Sequence, residues 1–174
     1  MGNFYCNFTT KGPTQESVLS FLRSNDLDAY VTPRYKRWCV IYEEQTNDLD
    51  GKLIDDLGCK LSQGLGCDVL AALVADDDIL CLVLYRDGRQ FVEYCSRGPT
   101  SGISTICNAL GRGWVVPFLW PLMQLPYVIV ESWRHSWFCR LLGMPDWAVA
   151  TGYRYIQQDE IPPDLDDGKS LRHS

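Results

Sequence analysis

The chain has 174 residues, of which 46% are apolar, and this length and composition suit one domain that can bury its own core rather than a disordered segment. The 22 acidic and 16 basic residues give a formal net charge of −6. The electrostatic field of a negatively charged protein repels phosphate backbones. The net charge therefore argues against nucleic acid as a partner and favours a basic partner.

The first part of the chain predicts alternating strands and helices. Residues 4–10 are rich in β-formers and stop at a Gly-Pro pair, which indicates a strand followed by a turn. Residues 14–25 carry apolar side chains at helical spacing and predict a helix. The β-prone runs 29–32 and 38–43 flank a short basic segment and predict a hairpin with a basic tip.

A second helix is predicted from the apolar stripe of Leu residues and Ile54 between positions 49 and 61. Four carboxylates crowd its polar side: Asp48, Asp50, Asp55 and Asp56. We therefore expect an acidic outer face, which could steer a basic partner.

Three further strands follow, over residues 69–74, 79–85 and 90–95, and the last two are joined by Asp87-Gly88, a favoured two-residue hairpin turn. The predicted order is β-α-β-β-α-β-β-β. Its first six elements match the split βαβ order of a ferredoxin-like, mainly antiparallel sheet, and the remainder is a hairpin extension. The predicted fold class is α+β, and many unrelated functions use such a fold.

The C-terminal half is predicted to be helical, with helices at 103–110 and 127–142 and one late strand within 148–157. The acidic, Pro-containing residues 159–174 are expected to form a loosely held tail. We therefore predict one α+β domain over residues 1–158, followed by that tail.

Residues 113–130 contain no charged side chain, and their number approaches the roughly 17 to 25 residues that cross a bilayer. Pro117, Pro121 and Pro126 would each remove a helical hydrogen bond in lipid, and Gln124 adds a polar group. A buried or partner-covered loop is therefore favoured over a membrane segment.

The same stretch carries large apolar side chains that predict a binding surface: Trp114, Phe118, Trp120 and Met123. An exposed apolar patch in a soluble protein usually marks a site of interaction with another molecule.

The eight cysteines are scattered, and no pair has the C-x-x-C spacing of a zinc site. Most of them lie in apolar runs, which indicates reduced core thiols, and the N-terminal sequence lacks the basic and apolar regions of a signal peptide. We therefore predict a cytoplasmic protein with no metal site and no cofactor.

One spacing permits a catalytic alternative. On the predicted helix His135 lies four residues before Cys139, so the two share a helical face and could form a nucleophile and its base. Packing of both side chains in the core is the more ordinary interpretation, and no catalytic residue is assigned. A small cysteine-dependent hydrolase or transferase remains the enzyme alternative.

The basic segment at Arg34, Lys36 and Arg37 is interleaved with Tyr35 and Trp38, a composition found in small nucleic-acid contacts. Because the net charge of the chain opposes that role, a solvated hairpin turn is the favoured interpretation.

Several short motifs resemble a family of uncharacterised bacterial proteins. They are Gly2-Asn3-Phe4-Tyr5 with Gly12-Pro13, Asp76-Asp77-Asp78-Ile79-Leu80 with Leu84-Tyr85 and Asp87-Gly88, Arg134-His135 before Leu141-Leu142-Gly143-Met144-Pro145, and Gly152-Tyr153-Arg154-Tyr155-Ile156. The resemblance spans most of the chain and implies bacterial origin and a shared fold, with no established activity. The Trp-rich residues 113–133 depart from the family pattern.

The leading hypothesis from the sequence is a non-catalytic protein-binding module, with a bacterial immunity or inhibitor protein as one concrete form. Its acidic residues would steer a basic partner, and its aromatic residues would anchor the complex. The alternatives are the cysteine-dependent enzyme and a membrane-attached regulator.

Overall fold

The structure is a computed structural model that describes residues 2–98, 101–125, 130–162, 165 and 171–174. In these residues one seven-stranded sheet is packed with six α-helices. Each pair of neighbouring strands is antiparallel. The predicted α+β class and mainly antiparallel sheet are therefore confirmed.

The strands are β1 (Tyr5–Lys11), β2 (Ala29–Val31), β3 (Trp38–Glu43), β4 (Val69–Ala75), β5 (Ile79–Arg86), β6 (Arg89–Cys95) and β7 (Arg172–His173). The helices are α1 (Gln15–Ser24), α2 (Gly51–Gly64), α3 (Gly102–Ala109), α4 (Val116–Gln124), α5 (Glu131–Leu142) and α6 (Tyr153–Gln157). Across the sheet the order is β6-β5-β4-β1-β3-β2-β7. Phe8 at the centre of β1 lies opposite Ile41 on β3 and Ala71 on β4.

Helices cover both faces of the sheet, so the strands bury side chains in two directions. Leu82 and Leu84 of β5 join the core beneath α3 to α6, whereas Val83 and Tyr85 join the core beneath α1 and α2. This alternation is the two-residue period of a strand whose two faces are both buried. It explains the nearly continuous apolar sequence of β4 and β5.

Short-range signals account for where several elements begin and turn. Thr14 caps α1 in a capping box with Ser17, and Asp50 caps α2 by accepting hydrogen bonds from main-chain N–H groups of the first turn. Asp87 and Gly88 both have positive φ, 51° and 74°, as a tight hairpin between β5 and β6 requires.

The predicted late strand is wrong. Residues 153–157 form α6, and a short 3-10 turn at Asp146–Ala148 precedes it. Tyr153 and Ile156, three residues apart, are buried on one side of this helical turn. Packing of that side against the sheet has overridden the β-propensity of the tyrosines.

Residues 116–124 were predicted to be a loop, and this prediction is also wrong, because they form α4. Pro117 lies in the first turn, where its missing N–H costs nothing, and Pro121 is tolerated inside the helix. Leu119 and Met123 are buried on one side of α4 and supply the packing energy that offsets the lost hydrogen bond.

Residues 172–173 form an edge strand, β7, where the sequence predicted a loosely held tail. Tyr30 of β2 pairs with His173 of β7, and the hydroxyl of Ser174 donates to the carbonyl of Leu27 at 2.6 Å. The predicted tail otherwise falls mostly outside the described residues, as do the first residues of the helix predicted from position 127.

Candidate functional site

Five aromatic side chains around α4 and α5 are exposed, and we call them the aromatic surface: Trp114, Phe118, Trp120, Trp133 and Trp137. Trp114 and Phe118 expose 61% and 66% of their area, and Trp120 exposes 39%. Trp133 and Trp137, one turn apart on α5, contact each other edge to face with ring centroids 5.9 Å apart. Large aromatic side chains exposed together are uncommon on a monomer and mark sites of interaction.

Met123 was predicted to belong to this surface, and the structure corrects that prediction. Its side chain is 1% exposed and lies in the core with Leu119. The helical period places residues 119 and 123 on the inner side of α4 and residues 118 and 120 towards solvent. Trp114, Phe118 and Trp120 are therefore the predicted residues that a partner could reach.

A buried polar network fixes the end of α4. Arg134 of α5 is 1% exposed, and its guanidinium donates to the carbonyls of Met123 at 3.3 Å and Leu125 at 2.7 Å. It also donates to the hydroxyl of Tyr94, which in turn donates to the carbonyl of Met123 at 2.8 Å. The last carbonyls of a helix lack internal partners, so a cation placed there satisfies them and complements the helix dipole.

Glu131 supplies the negative charge beside Arg134, with 3.2 Å between Oε2 and Nε. The atoms are close enough for an ion pair, although they are not aligned as a hydrogen bond. Burial raises the pKa of the Glu131 carboxyl, and the Arg134 charge opposes this rise. Two buried opposite charges thus support the helix pair that carries the aromatic surface.

The start of α5 is held by the turn between β4 and β5. The main-chain N–H of Ser132 donates to the Asp77 carboxylate at 3.3 Å, and that of Glu131 donates to the Asp77 carbonyl at 3.1 Å. Asn3 also donates to the carboxylate through its side chain at 2.8 Å. Burial would raise the pKa of Asp77, but these hydrogen bonds outweigh it and lower the pKa.

The four acidic residues predicted to contact a partner are exposed, but three of them have structural contacts. Asp50 caps α2, Asp48 forms an ion pair with Arg154, and Asp55 accepts a hydrogen bond of 2.6 Å from the hydroxyl of Tyr85. Asp56 borders a small cleft beside Lys60. Asp56 differs from the other three residues, because no such structural contact is found for it in the described part of the chain.

The geometry gives no support to a catalytic His135–Cys139 pair. Both side chains are fully buried, and His135 Nδ1 lies 2.8 Å from the hydroxyl of Tyr5. Burial lowers the pKa of His135 to about 3 and raises that of the Cys139 thiol. The imidazole is therefore neutral and the thiol protonated at neutral pH, and neither side chain reaches solvent.

The basic hairpin tip borders an open concavity of about 630 Å³. Its cationic side chains are Lys11, Arg34, Lys36 and Arg37. Burial, reinforced by the charge of Arg37, lowers the pKa of Lys11. The sequence pattern does not connect Lys11 with the tip, because the contact depends on the pairing of β1 with β3.

Within the described ranges no group of three or more His, Cys, Asp and Glu side chains is placed to hold a metal ion. No described helix has the length and apolar character needed to span a bilayer. No family model, curated protein or solved structure matches the chain. The resemblance to a bacterial family therefore stays a prediction.

Proposed function

We propose that this protein is a non-catalytic binding module that docks another protein on its aromatic surface. The observation that carries the proposal is the exposure of Trp114, in the 3-10 turn Gly113–Val115, and of Phe118 and Trp120 on α4, whose inner side is buried. Leaving such area in water forgoes about 25 cal/mol for each Å² that could be buried. Trp and Tyr are also the residues that most often dominate binding energy at interfaces.

The helix that carries Phe118 and Trp120 is held in place by hydrogen bonds to neighbouring elements, which favours recognition. Arg134 and Tyr94 hold the end of α4, and Asp77 holds the start of α5. A preorganised surface loses less conformational entropy on binding than a loop that must be ordered first.

Charge supports a basic partner. The net charge of −6 attracts cationic proteins over long range and increases the association rate, whereas the aromatic contacts slow dissociation. Among the acidic residues of α2, Asp56 is the best placed to contribute, because Asp50 and Asp55 already have partners. A cytoplasmic bacterial immunity or inhibitor protein acting on a basic toxin is one concrete form of this proposal.

The scaffold of the proposed module is a ferredoxin-like unit formed by the first six elements. Two observations support this assignment: the neighbouring order β4-β1-β3-β2 and the antiparallel pairing throughout. Strands β5 and β6 then extend the sheet beyond β4. In this arrangement the C-terminal helices cover one face and present the aromatic surface.

Attachment to a membrane surface is the second candidate. Leu125 and Val130 are also exposed, and residues 113–130 contain no charge. Trp and Phe side chains on an uncharged segment are typical of interfacial anchors. The Trp residues of α5 fit either a protein or a lipid interface.

Affinity capture with three matched baits tests the proposal. The baits are the wild-type chain, a variant with Trp114, Phe118 and Trp120 changed to Ser, and a control with Phe4, Tyr35 and Phe91 changed to Ser. The control residues are exposed aromatics outside the aromatic surface, at 49%, 38% and 43%. A captured protein is then purified, and its Kd for each bait is measured by calorimetry.

We expect a basic protein that binds the wild type and the control equally and binds the Ser variant at least tenfold more weakly. A partner insensitive to the three substitutions, or no partner at all, contradicts the proposal. Flotation with neutral phosphatidylcholine vesicles separates the second candidate, because a membrane anchor would float with vesicles and lose flotation in the same Ser variant.

A further inference from the structure

Two of the cysteines lie directly opposite each other on neighbouring strands. The register of β5 and β6 pairs Cys81 with Cys95, and their Sγ atoms are 2.7 Å apart. The sequence separates them by a hairpin, so neither the local motif nor a C-x-x-C spacing reveals the pair.

The backbone at this position favours a covalent bond between the two side chains. The N–H of Ser96 donates to the carbonyl of Leu80 at 2.9 Å, so Leu80 and Ser96 are a hydrogen-bonded pair of the ladder. Such pairs alternate with non-hydrogen-bonded pairs, in which the Cα atoms are about 4.5 Å apart and the side chains are closer. Cys81 and Cys95 occupy the next, non-hydrogen-bonded position, and that spacing falls within the range that a disulfide spans.

Solvent access distinguishes this pair from the core thiols. Cys81 and Cys95 are partly exposed, whereas Cys6, Cys107 and Cys139 are buried. Burial and the neighbouring Cys95 raise the pKa of Cys81, so the Cys81 thiol is a poor first nucleophile.

We propose that Cys81 and Cys95 are a reversible redox site. They form a disulfide with each other, across the two strands, by exchange with small-molecule disulfides such as oxidised glutathione. The thiolate of one of the two cysteines attacks one sulfur of the small disulfide, forms a mixed disulfide and releases one thiol. The other cysteine then loses its proton and attacks the protein sulfur of the mixed disulfide, forming the protein disulfide and releasing the second thiol. The two protein thiols lose two electrons and two protons, which reduce the small disulfide to two thiols.

The bond would tie β6 to the body of the sheet. β6 is the edge strand on that side, and β5 is its neighbour in the sheet. The hydroxyl of Tyr94, the residue before Cys95, donates a hydrogen bond to the carbonyl of Met123 in α4. Oxidation therefore braces the strand that supports α4, although the redox site itself does not depend on the binding role proposed above.

Mass spectrometry of the full-length protein in glutathione buffers tests this proposal. After alkylation and trypsin digestion, cleavage at Lys60, Arg86, Arg89 and Arg97 separates the two cysteines into peptides 61–86 and 90–97. We expect oxidation to remove two of the eight thiols, to join these two peptides, and to be fully reversed by dithiothreitol. Hydrogen exchange of the β6 amides should slow on oxidation.

Variants identify the sulfur atoms involved. Peptide 61–86 also contains Cys67, so Cys67→Ser is the matched control and should form the same cross-link as the wild type. Cys81→Ser and Cys95→Ser should form at most a glutathione adduct. The proposal is overturned if wild-type protein keeps all eight thiols at glutathione ratios that oxidise a dithiol, or if the cross-link persists in Cys81→Ser; the wild-type measurement decides even if a variant fails to fold.

Discussion

The guanidinium of Arg134 donates a 2.7 Å hydrogen bond to the main-chain carbonyl of Leu125, the residue that follows the last turn of α4. This contact places a buried positive charge at the C-terminus of one helix and on the inner side of the next. Because the same guanidinium lies beside Glu131, the position of α4 depends on a buried ion pair.

Arg134→Met should strongly destabilise the protein. The substitution keeps the apolar stem but leaves Glu131 buried without its cation, a change that typically costs about 3 to 5 kcal/mol. Urea unfolding at pH 7 measures the free energy of unfolding. The double variant Arg134→Met with Glu131→Gln should recover part of the loss, since it buries no uncompensated charge; equal losses in the two variants would contradict the ion-pair explanation.

Asp77→Asn should weaken the attachment of α5 to the β4–β5 turn. Asn tolerates the positive φ of 53° at this position, so the change mainly removes the charge and one acceptor. Loss of a helix cap typically costs about 1 kcal/mol. The control is Asp87→Asn, at another turn Asp with positive φ, and a loss of equal size there would contradict the capping role.

Asp77 should also contribute to the loss of folding stability in acid. The pKa of Asp77 is lowered below its ordinary value of 3.8, so the folded state favours the carboxylate. Its contribution is present above that pH and is lost as the pH falls through the folded-state pKa. The unfolding free energies of wild type and Asp77→Asn should therefore converge as the pH falls from the ordinary pKa of 3.8 through the folded-state pKa.

His135 should make the protein less stable in mild acid. Burial lowers its folded-state pKa from 6.5 to about 3, so the unfolded state takes up the proton first as the pH falls. The contribution of His135 to the free energy of unfolding is complete above pH 6.5. It decreases towards pH 3, by at most about 1.4 kcal/mol for each pH unit. His135→Gln, whose amide can still hydrogen-bond with the Tyr5 hydroxyl, should reduce the slope of unfolding free energy between pH 6.5 and 4.5.

The second histidine provides the control for that experiment. His173 is partly exposed and pairs with Asp28 at the end of the chain. If His173→Gln changed the slope as much as His135→Gln, burial of His135 would not be its cause.

Asp50→Ala and Asp56→Ala separate a structural carboxylate from a candidate binding one. Asp50 accepts from Lys52 N at 2.8 Å, so its loss should cost about 1 kcal/mol in unfolding free energy. Asp56→Ala should leave stability within about 0.5 kcal/mol, as surface changes usually do. Thermal and urea unfolding check both values; similar losses would show that Asp56 also has a structural role.

The positions of the first eight elements could be predicted because their signals are local. The Asp87-Gly88 turn and the apolar period of α1 and α2 each depend on residues close together in the chain. Local signals fail at residues 153–157. The β-propensity of Tyr153 and Tyr155 predicted a strand, but the residues form a helical turn that buries Tyr153 and Ile156. Propensity is weak compared with the burial energy of a tertiary contact.

The candidate site was predicted only in part. The sequence predicted exposed side chains at Trp114, Phe118 and Trp120, but it could not decide which side of α4 is covered, so Met123 was assigned to the wrong side. Asp48 was predicted to meet a partner, whereas its charge pairs with Arg154, more than a hundred residues along the chain.

The sequence by itself determined the fold class and the Asp87-Gly88 turn, because these follow from composition, periodicity and short-range backbone preferences. The tertiary structure alone decided that Arg134 supports α4, that Lys11 joins the basic tip, and that Cys81 faces Cys95. The physical reason is distance along the chain. Burial and strand register arise from contacts between residues far apart in sequence, and their energies exceed the local preferences that a sequence pattern records.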